Sequence, residues 1–226
     1  FYRMLFRERT ADVAFYRALV AAHGSPVLEL GVGDGRVAFA LADDGHEVVG
    51  MDLSEDMLAA LEEQRDGRNV AAHLADARQF RIDRRFRTVT CPFNGMAHFH
   101  GPEDQAAVLD TVKAHLEPGG VFAFDVTIPD PAQLAGGTSF VPRLVHPRTG
   151  AVCRMEETHA FDAVTEVLTI TQKLVDRLSG ETQTLTLKLR QLHPQQTDRM
   201  LAYHGFQVLE RSAVIGDSLA YVCRVR

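Results

Sequence analysis

The sequence predicts an α/β protein with a doubly wound sheet, in which parallel strands alternate with helices. The first observation is a mostly apolar stretch at 27–30 that is followed by three glycines at alternate positions and by a helical pattern over 36–42. The second is that strand and helix patterns alternate as far as Val126. The third is the composition, because 46% hydrophobic and 24% charged residues among 226 are typical of one globular domain, or of one domain with an insertion.

The alternating part of the chain is predicted to contain five strands and four helices. Gly24 ends the first helix, Ser54 caps the third, and Pro102 precedes the fourth, which the turn at 117–120 ends. The predicted strands are 27–30, 47–52, 70–75, 86–93 and 121–126. The predicted helices are 10–22, 36–42, 55–65 and 105–116.

The pattern changes character from Phe140 onward. Residues 151–192 alternate apolar and polar side chains, with a turn at Ser179-Gly180. We therefore expect an antiparallel hairpin within a small added sheet. Its apolar residues are predicted to lie on one face before the turn and on another face after it. These residues are Leu168, Ile170 and Leu174 before the turn, and Leu185, Leu187 and Leu189 after it.

The end of the chain predicts a helix over 194–204 and two strands, 207–214 and 219–225. This pattern divides the chain into three parts. They are a core at 1–139, a β insertion at 140–192 and a closing segment at 193–226.

The glycine loop at 31–35 predicts a site for a nucleotide-type ligand. Glycine lets the backbone turn sharply and approach a ligand closely, and the start of the following helix attracts negative charge. The dinucleotide pattern G-x-G-x-x-G fails, because its third glycine would fall on Arg36 or Ala38. Asp52 ends the next strand, where a carboxylate accepts hydrogen bonds from ribose hydroxyls. The alternative is an ordinary turn, with Asp52 only capping a helix.

This arrangement closely resembles the first two motifs of the class I S-adenosylmethionine-dependent methyltransferases. The first motif is Glu29-x-Gly31-x-Gly33-x-Gly35, and the second is the acid at Asp52. The resemblance covers 10–126 and 190–226. It implies a Rossmann-like, seven-stranded, mostly parallel sheet with an antiparallel last strand, and S-adenosyl-L-methionine as the cofactor. The likeness is greatest to the small-molecule branch, including amino-sugar and other amine N-methyltransferases, which share an antiparallel insertion after the fifth strand.

The resemblance also implies a set of cofactor-binding residues. Asp76 and Ala77, after the third strand, resemble the motif that meets the adenine amino group, although Asp76 could instead cap a turn. The full predicted set is Glu29, Gly31, Gly33, Gly35, Asp52, Leu53, Met57, Asp76, Ala77 and Phe93.

The reaction is expected to take place beside the loop at 94–100, because ligands in open α/β sheets bind beyond the carboxyl ends of the strands. We predict that His98 acts as general base toward an amine or hydroxyl, or orients it, since imidazole titrates near neutral pH. The alternative is that His98 only bonds a neighbouring carbonyl and holds the loop. The predicted substrate-binding residues are Tyr2, Asn94, His100, Arg190 and His193.

Two further segments have expected roles beside the site. Residues 1–6 are aromatic and apolar, and in the resembled family such a segment often folds over the bound cofactor; packing on the surface is the alternative. The insertion is expected to wall the substrate side of the pocket or to build the interface of a homodimer.

Nucleic acid, metal and membrane partners are disfavoured. The chain has a net charge of −6 and no basic cluster beyond Arg84-Arg85 and its neighbours, and it has Thr90-Cys91-Pro92-Phe93 where nucleic-acid amino-methyltransferases usually carry Asn or Asp-Pro-Pro-aromatic. No acids cluster near 94–100, and His98 with His100 is too little for a metal site. No apolar run reaches membrane-spanning length.

The expected cellular setting is the cytoplasm. The three cysteines, Cys91, Cys153 and Cys223, lie far apart without metal-ligand spacing, so we expect free thiols in a reducing compartment. The sequence begins at Phe1, so we expect native residues ahead of it, and what is present shows no signal-peptide pattern.

The expected function is transfer of a methyl group from S-adenosylmethionine to an amine or hydroxyl of a small molecule by direct displacement. The alternative is a non-catalytic sensor or scaffold that binds S-adenosylmethionine or S-adenosylhomocysteine. Hydride transfer is disfavoured by the missing third glycine.

Overall fold

The computed structural model describes residues 11–145, 150–215 and 218–226. The described residues form two compact units: Pro129–Gln191 make up one, and residues 11–128 with Leu192–Arg226 make up the other. The division at 139/140 and 192/193 stays a prediction of domain organisation. The segment 1–6, including Tyr2, lies outside the described residues.

The elements follow one another in the order that the alternating pattern predicts. In chain order they are α1 (Ala11–His23), β1 (Val27–Leu30), α2 (Arg36–Asp43), β2 (Val48–Asp52), α3 (Glu55–Gln64), β3 (Val70–Leu74), β4 (Phe86–Cys91), a 3₁₀ helix (Gly95–His98), α4 (Pro102–His115), β5 (Leu116–Thr127), α5 (Pro131–Leu134), β6 (Gly137–Val145), β7 (Val152–Asp162), β8 (Val167–Asp176), β9 (Thr182–Arg190), α6 (Pro194–Tyr203), β10 (Phe206–Ile215) and β11 (Ser218–Val225).

The larger unit is built on a seven-stranded sheet with the order β10-β11-β5-β4-β1-β2-β3. The strands from β5 to β3 pair in parallel, whereas β11 pairs antiparallel with both β5 and β10. Buried apolar residues of α1, α2 and α3 belong to one core cluster, and those of α4 and α6 belong to another. The predicted doubly wound sheet with an antiparallel last strand is therefore confirmed.

The position of β1 decides where a ligand can bind. β1 lies between β2 and β4, and Val27 is in register with Val48 on one side and with Thr88 on the other. The chain leaves β1 for α2, and it reaches β4 only after β2 and β3, so the strand order reverses beside β1. The carboxyl ends of β1, β2 and β4 meet at this switch point, which is where open α/β sheets bind ligands.

Two strand boundaries differ from the prediction by more than one residue. β4 ends at Cys91 because Phe93 and Asn94 have φ values of 54° and 60°, and this left-handed backbone cannot continue a strand. β5 begins at Leu116 because Phe86 pairs with Leu116 and Thr88 with Val121, so the predicted turn at 117–120 bulges out of an already paired strand.

The smaller unit contains a four-stranded antiparallel sheet with the order β6-β7-β8-β9. The predicted hairpin is the pair β8 and β9, and β6 and α5 were not predicted. The predicted separation of the apolar residues onto different faces was wrong. Leu168 pairs with Leu189 and Ile170 with Leu187, and residues directly opposite each other in an antiparallel ladder point to the same side.

Among the described residues, no helix combines the length and the apolar character needed to cross a membrane.

Candidate active site

The glycine loop borders open space. Gly31 and Gly33 have φ values of 71° and 56°, and among the described residues none except their chain neighbours has an atom within 4 Å of the place where a Cβ would stand on either glycine. Gly35, with φ of 91°, is needed for a different reason, because a Cβ there would lie 2.7 Å from the ring of Phe39. The first two glycines therefore form a cradle that a ligand can enter, and the third lets α2 pack closely.

Asp52 joins this loop to the end of β2. Its Oδ2 accepts a hydrogen bond from the backbone N–H of Gly33 at 2.9 Å, and its Oδ1 accepts one from the N–H of Ser54 at 2.9 Å. The Oγ of Ser54 in turn accepts from the N–H of Met57 and caps α3, as the sequence predicted. A carboxylate oxygen has a second lone pair, so Asp52 can accept ribose hydroxyls while it holds both loops.

The other residues predicted to hold the adenosine part follow β2 and β3. Leu53 is 66% exposed, which is unusual for leucine, and Met57 is half-buried. Ala77 is buried in the core. Asp76 forms an ion pair with Arg78 that holds the pKa of its carboxyl group below the usual range, and it also accepts from the backbone N–H of Arg78. It thus caps a turn, and its contact with adenine stays a prediction.

Glu29 is a buried acid in the middle of β1. It is 2% exposed, and its Oε2 has no hydrogen-bond partner among the described residues. Burial raises the pKa of Glu29 to about 8; the charge of Arg36 opposes this rise, and the charges of Asp12 and Asp52 add to it. A buried carboxyl group without a full set of partners is costly, so its presence here indicates a role beyond folding.

The raised pKa makes stability depend on pH. The folded protein holds the Glu29 proton up to about pH 8, whereas the unfolded chain releases it near the ordinary glutamate value of 4.5. This group therefore stabilises the fold below the unfolded pKa, and that stability is lost as the pH rises toward 8. Without cofactor, Glu29→Gln should gain unfolding free energy relative to wild type between pH 5 and 9, by at most about 4 kcal/mol. Urea titrations across that range measure it, and parallel pH curves for the two proteins would contradict it.

A buried ion pair lies beside the glycine loop, and the sequence analysis missed it. Both terminal nitrogens of Arg36 donate to the fully buried carboxylate of Asp12, at 2.7 and 2.5 Å. The guanidinium carbon lies 5.6 Å from the centre of the Phe93 ring. This contact joins the start of α2 to the loop after β4, and it places the predicted cofactor residue Phe93 beside the glycine loop.

A second set of polar contacts holds the loop after β4. Asp125 on β5 accepts from the hydroxyl of Tyr16 at 2.7 Å and from the N–H of Phe93 at 2.8 Å. The side-chain amide of Asn94 donates to the Thr127 hydroxyl at 2.9 Å and accepts from the Thr127 N–H at 2.6 Å. These bonds fix the left-handed turn from which the 3₁₀ helix starts. The predicted contact of Asn94 with substrate stays a prediction.

His98 ends the 3₁₀ helix, and its side chain is exposed. Neighbouring atoms still exclude part of its hydration water, which lowers its pKa. The charge of His100 lowers the pKa further, and the charge of Asp52 opposes both effects. This coupling to Asp52 shows that the loop after β4 and the end of β2 face a common region. His100 is half-buried.

Arg190, His193 and Tyr2 are the remaining predicted substrate residues. Arg190, in the smaller unit, donates to Glu166 at 2.7 Å and to the carbonyl oxygen of Thr165 at 3.1 Å. His193 precedes α6, and its carbonyl oxygen accepts from the N–H and the hydroxyl of Thr197. Tyr2 lies outside the described residues. Contacts of these three side chains with a substrate stay predictions.

In the part of the chain that the structure describes, no three or more His, Cys, Asp and Glu side chains come together in a way that could hold a metal ion.

Gly33 offers a direct test of the cradle. Alanine at Gly33 is strained by the positive φ and places a methyl group in the open space, so cofactor binding should weaken about tenfold or more. Gly45 lies in the turn after α2, with φ of 89°, and no described residue beyond its chain neighbours reaches within 4 Å of its Cβ position. Gly45→Ala should therefore lose a similar stability, about 1–2 kcal/mol, without losing affinity. Equal affinities for the two variants, measured by calorimetry, would contradict the cradle.

The fold and the site together define an α/β protein that holds a nucleoside-containing, positively charged cofactor at the switch point of its sheet. Gly31 and Gly33 leave the cradle open, Asp52 is fixed as an acceptor, and Glu29 brings a carboxyl group without a full set of partners. These features fit the ribose and the cationic part of S-adenosylmethionine.

Comparisons with known proteins agree with this class. A family model described as a methyltransferase domain matches residues 27–120. The cypemycin N-terminal methyltransferase of a Streptomyces species is 39% identical over 124 residues, which are 53% of this chain and 51% of that protein. The dTDP-3-amino-3,6-dideoxy-alpha-D-glucopyranose N,N-dimethyltransferase of Streptomyces fradiae is 33% identical over 164 residues, which are 67% of this chain and 62% of that protein. The chain thus spans about half to three fifths of these curated relatives.

A solved structure extends the likeness over nearly the whole chain. The CcbJ methyltransferase from Streptomyces caelestis has a TM-score of 0.81 and 28% identity, with 96% of each chain covered. These matches confirm the predicted resemblance to the class I S-adenosylmethionine-dependent methyltransferases. The predicted cofactor, S-adenosyl-L-methionine, is confirmed with it.

Proposed function

We propose that this protein transfers a methyl group from S-adenosylmethionine to the nitrogen of a small-molecule amine. The observation that carries the proposal is the open cradle at Gly31 and Gly33, with the carboxylate of Asp52 fixed 2.9 Å from the Gly33 N–H. The names of both curated relatives describe methylation of an amine, one at a peptide N-terminus and one on an amino sugar. They favour nitrogen over oxygen as the atom that is methylated.

Different residues of the site hold different parts of the cofactor. The backbone of the glycine loop lies along the open cradle, Asp52 accepts hydrogen bonds from the ribose, and the exposed side chain of Leu53 offers an apolar surface to the base. The negative charge of Asp52 favours a cation, and the Glu29 carboxyl group, which holds its proton up to about pH 8 without cofactor, becomes easier to ionise beside a bound cation. When bound, S-adenosylmethionine supplies a methyl group that its positively charged sulfur has already activated.

His98 is the group that removes the proton. An alkylamine is mostly protonated at neutral pH and has no free lone pair, so it must lose a proton before its nitrogen can attack. The lowered pKa keeps the His98 imidazole neutral near pH 7, so a ring nitrogen can accept that proton. The exposed ring then releases the proton to water. Asn94 and Asp125 hold the loop that carries His98.

The acceptor that we infer is a nucleotide-linked amino sugar. The Streptomyces fradiae relative, which acts on such a sugar by name, aligns with 67% of this chain. The N-terminal amine of a peptide is the second candidate, because the cypemycin relative has the higher identity, 39%, over a shorter segment. Both acceptors carry a primary amine, so the same loss of a proton and the same methyl transfer apply to each.

We place the reaction in the cytoplasm. Cys91, Cys153 and Cys223 are free thiols and are buried, which is typical of a reducing compartment. Assembly as a homodimer stays a prediction.

Transfer of a radiolabelled methyl group to matched acceptors tests the function. The acceptors are dTDP-linked 3-amino sugars, the same sugars with a hydroxyl in place of the amine, and a peptide with a free or an acetylated N-terminus. Label should appear on the amino sugar and not on its hydroxyl counterpart. Transfer to the hydroxyl sugar alone would overturn the choice of nitrogen. Tight cofactor binding without transfer to any acceptor would indicate a binding protein.

A further inference from the structure

Glu29 and Thr90 are two buried polar side chains on neighbouring strands. They are in register across the parallel strands β1 and β4, so both side chains lie on the same face of the sheet. Glu29 is 2% exposed and Thr90 is fully buried. Among the described residues, neither the Oε2 of Glu29 nor the Oγ1 of Thr90 has a hydrogen-bond partner. An acid and a hydroxyl are thus buried on adjacent strands with part of their hydrogen-bonding capacity unused.

This pair lies beside the place where the cofactor binds. Glu29 precedes Gly31, the first glycine of the open cradle, by two residues, and Thr90 is close to the end of β4. The charge of Asp52 already acts on the Glu29 carboxyl group from the end of β2. A charge that enters the cradle will act on Glu29 in the same way, because the surrounding protein screens it much less than water does.

The groups around Glu29 leave room for one more positive charge. Charged or titratable side chains face it from four elements: Asp12 on α1, Arg36 on α2, Asp52 at the end of β2 and Cys91 on β4. Asp12 and Arg36 form an ion pair with each other, so their charges largely cancel. Burial raises the pKa of Cys91, which therefore stays a neutral thiol. The negative charge of Asp52 remains, and it opposes ionisation of Glu29 until a cation arrives.

The unused hydroxyl of Thr90 fits an ionised Glu29 better than a neutral one. A buried carboxylate needs donors around both oxygens, whereas a protonated carboxyl group needs fewer. Burial raises the pKa of Glu29 to about 8, so the free protein holds the neutral form at pH 7. In that form the Thr90 hydroxyl makes no bond to it. Valine at position 90 would fill the same volume without burying a hydroxyl, so folding alone does not account for Thr90.

We propose that binding of S-adenosylmethionine is linked to the release of one proton from Glu29. The carboxyl group is protonated and neutral in the free protein. The sulfonium and ammonium groups of the cofactor favour the ionised form, so the O–H bond of the carboxyl group breaks and the proton passes to a base of the solvent. No bond to the cofactor forms in this step. Thr90 supplies the hydroxyl that donates to the resulting carboxylate, and it is a positioning residue.

This linkage makes cofactor affinity depend on pH with a definite sign. Below about pH 8 the cofactor must displace the proton, so affinity should rise with pH and level off above that value. The dissociation constant of Glu29→Gln divided by that of the wild type should rise by up to about tenfold for each pH unit between 6 and 8. The amino group of the cofactor and His98 are present with both proteins, so their titration cancels in this ratio.

Calorimetry at pH 7, in buffers with different ionisation enthalpies, counts the released protons directly. With S-adenosylmethionine, the wild type should release close to one proton more than Glu29→Gln. The matched control is Glu55→Gln, which removes an exposed acid at the start of α3 and should keep the wild-type count. Methylthioadenosine carries the ribose, the base and the sulfur without a charge, so it should bind the wild type without this release.

Equal proton counts for the wild type and Glu29→Gln, with normal melting of both, would overturn the linkage. Equal release with methylthioadenosine and with S-adenosylmethionine would overturn it as well. If Glu29→Gln does not fold, infrared difference spectra of the wild type decide. The C=O band of a protonated carboxyl group should disappear when S-adenosylmethionine binds, and its persistence would overturn the linkage.

Thr90→Val tests the second residue, because valine keeps the shape and lacks the hydroxyl. It should weaken S-adenosylmethionine binding at pH 7 about tenfold, which corresponds to one lost hydrogen bond, and should leave methylthioadenosine affinity within about twofold. Unchanged affinity for S-adenosylmethionine would remove Thr90 from the proposal. All of these measurements use the cofactor without an acceptor, so their outcome does not depend on which amine is methylated.

Discussion

Replacing Asp52 with alanine should weaken S-adenosylmethionine binding by about 100-fold or more. The carboxylate is expected to accept hydrogen bonds from the ribose, and a bond to a charged acceptor contributes about 1.5–3 kcal/mol. The substitution also removes the two backbone bonds that join Gly33 and Ser54, so the cradle loses its fixed geometry. Isothermal calorimetry with S-adenosylmethionine and with S-adenosylhomocysteine measures the effect, and both ligands should lose affinity because both carry the ribose.

Asp56 provides the matched control for this prediction. It is an exposed acid in the first turn of α3, four residues along the chain, so Asp56→Ala removes the same charge without touching the cradle. Its affinity should stay within a factor of about two. If Asp52→Ala melts as the wild type does and still binds both ligands with unchanged affinity, Asp52 does not hold the ribose.

Replacing His98 with alanine should lower kcat by about 10²–10⁴-fold while cofactor affinity stays within a factor of a few. That range is typical for the loss of a positioned general base. The base accepts a proton only when the imidazole is neutral. The wild-type rate should therefore fall as the pH drops below the pKa of His98, which is lowered from 6.5. This acid limb should disappear in the variant.

Two further variants separate the possible roles of His98. His98→Asn can still form a hydrogen bond but cannot take a proton. Full activity of this variant would mean that His98 orients the acceptor and does not act as a base. His204→Ala is the control, because His204 follows α6 and is not part of the loop after β4; kcat should stay within about twofold of the wild-type value. Wild-type turnover in His98→Ala would remove the residue from the mechanism.

The sequence by itself determined the features that depend on neighbours along the chain. The glycine loop has positive φ values at Gly31, Gly33 and Gly35, and the three alternate glycines in the sequence predict this backbone conformation. Ser54 caps α3 through a residue only three positions away. The alternation of strands and helices leaves few topologies, because parallel strands need crossover helices. The position of Asp52 at the switch point follows from that order.

The tertiary structure alone decided which distant side chains meet. Tyr16 and Asp125 are separated by 109 residues, and Asp12 pairs with Arg36 across two elements. In the sequence, the contact between Tyr16 and Asp125 is indicated only by the position of Asp125, an acid inside the apolar run of β5. The hydrogen bond that Gln172 donates to Glu157 depends on the register of β7 and β8, since a shift by one residue would turn one of the two side chains to the other face of the sheet. Hydrogen bonding requires atoms within about 3.5 Å, and a pattern of residue types carries no such distances.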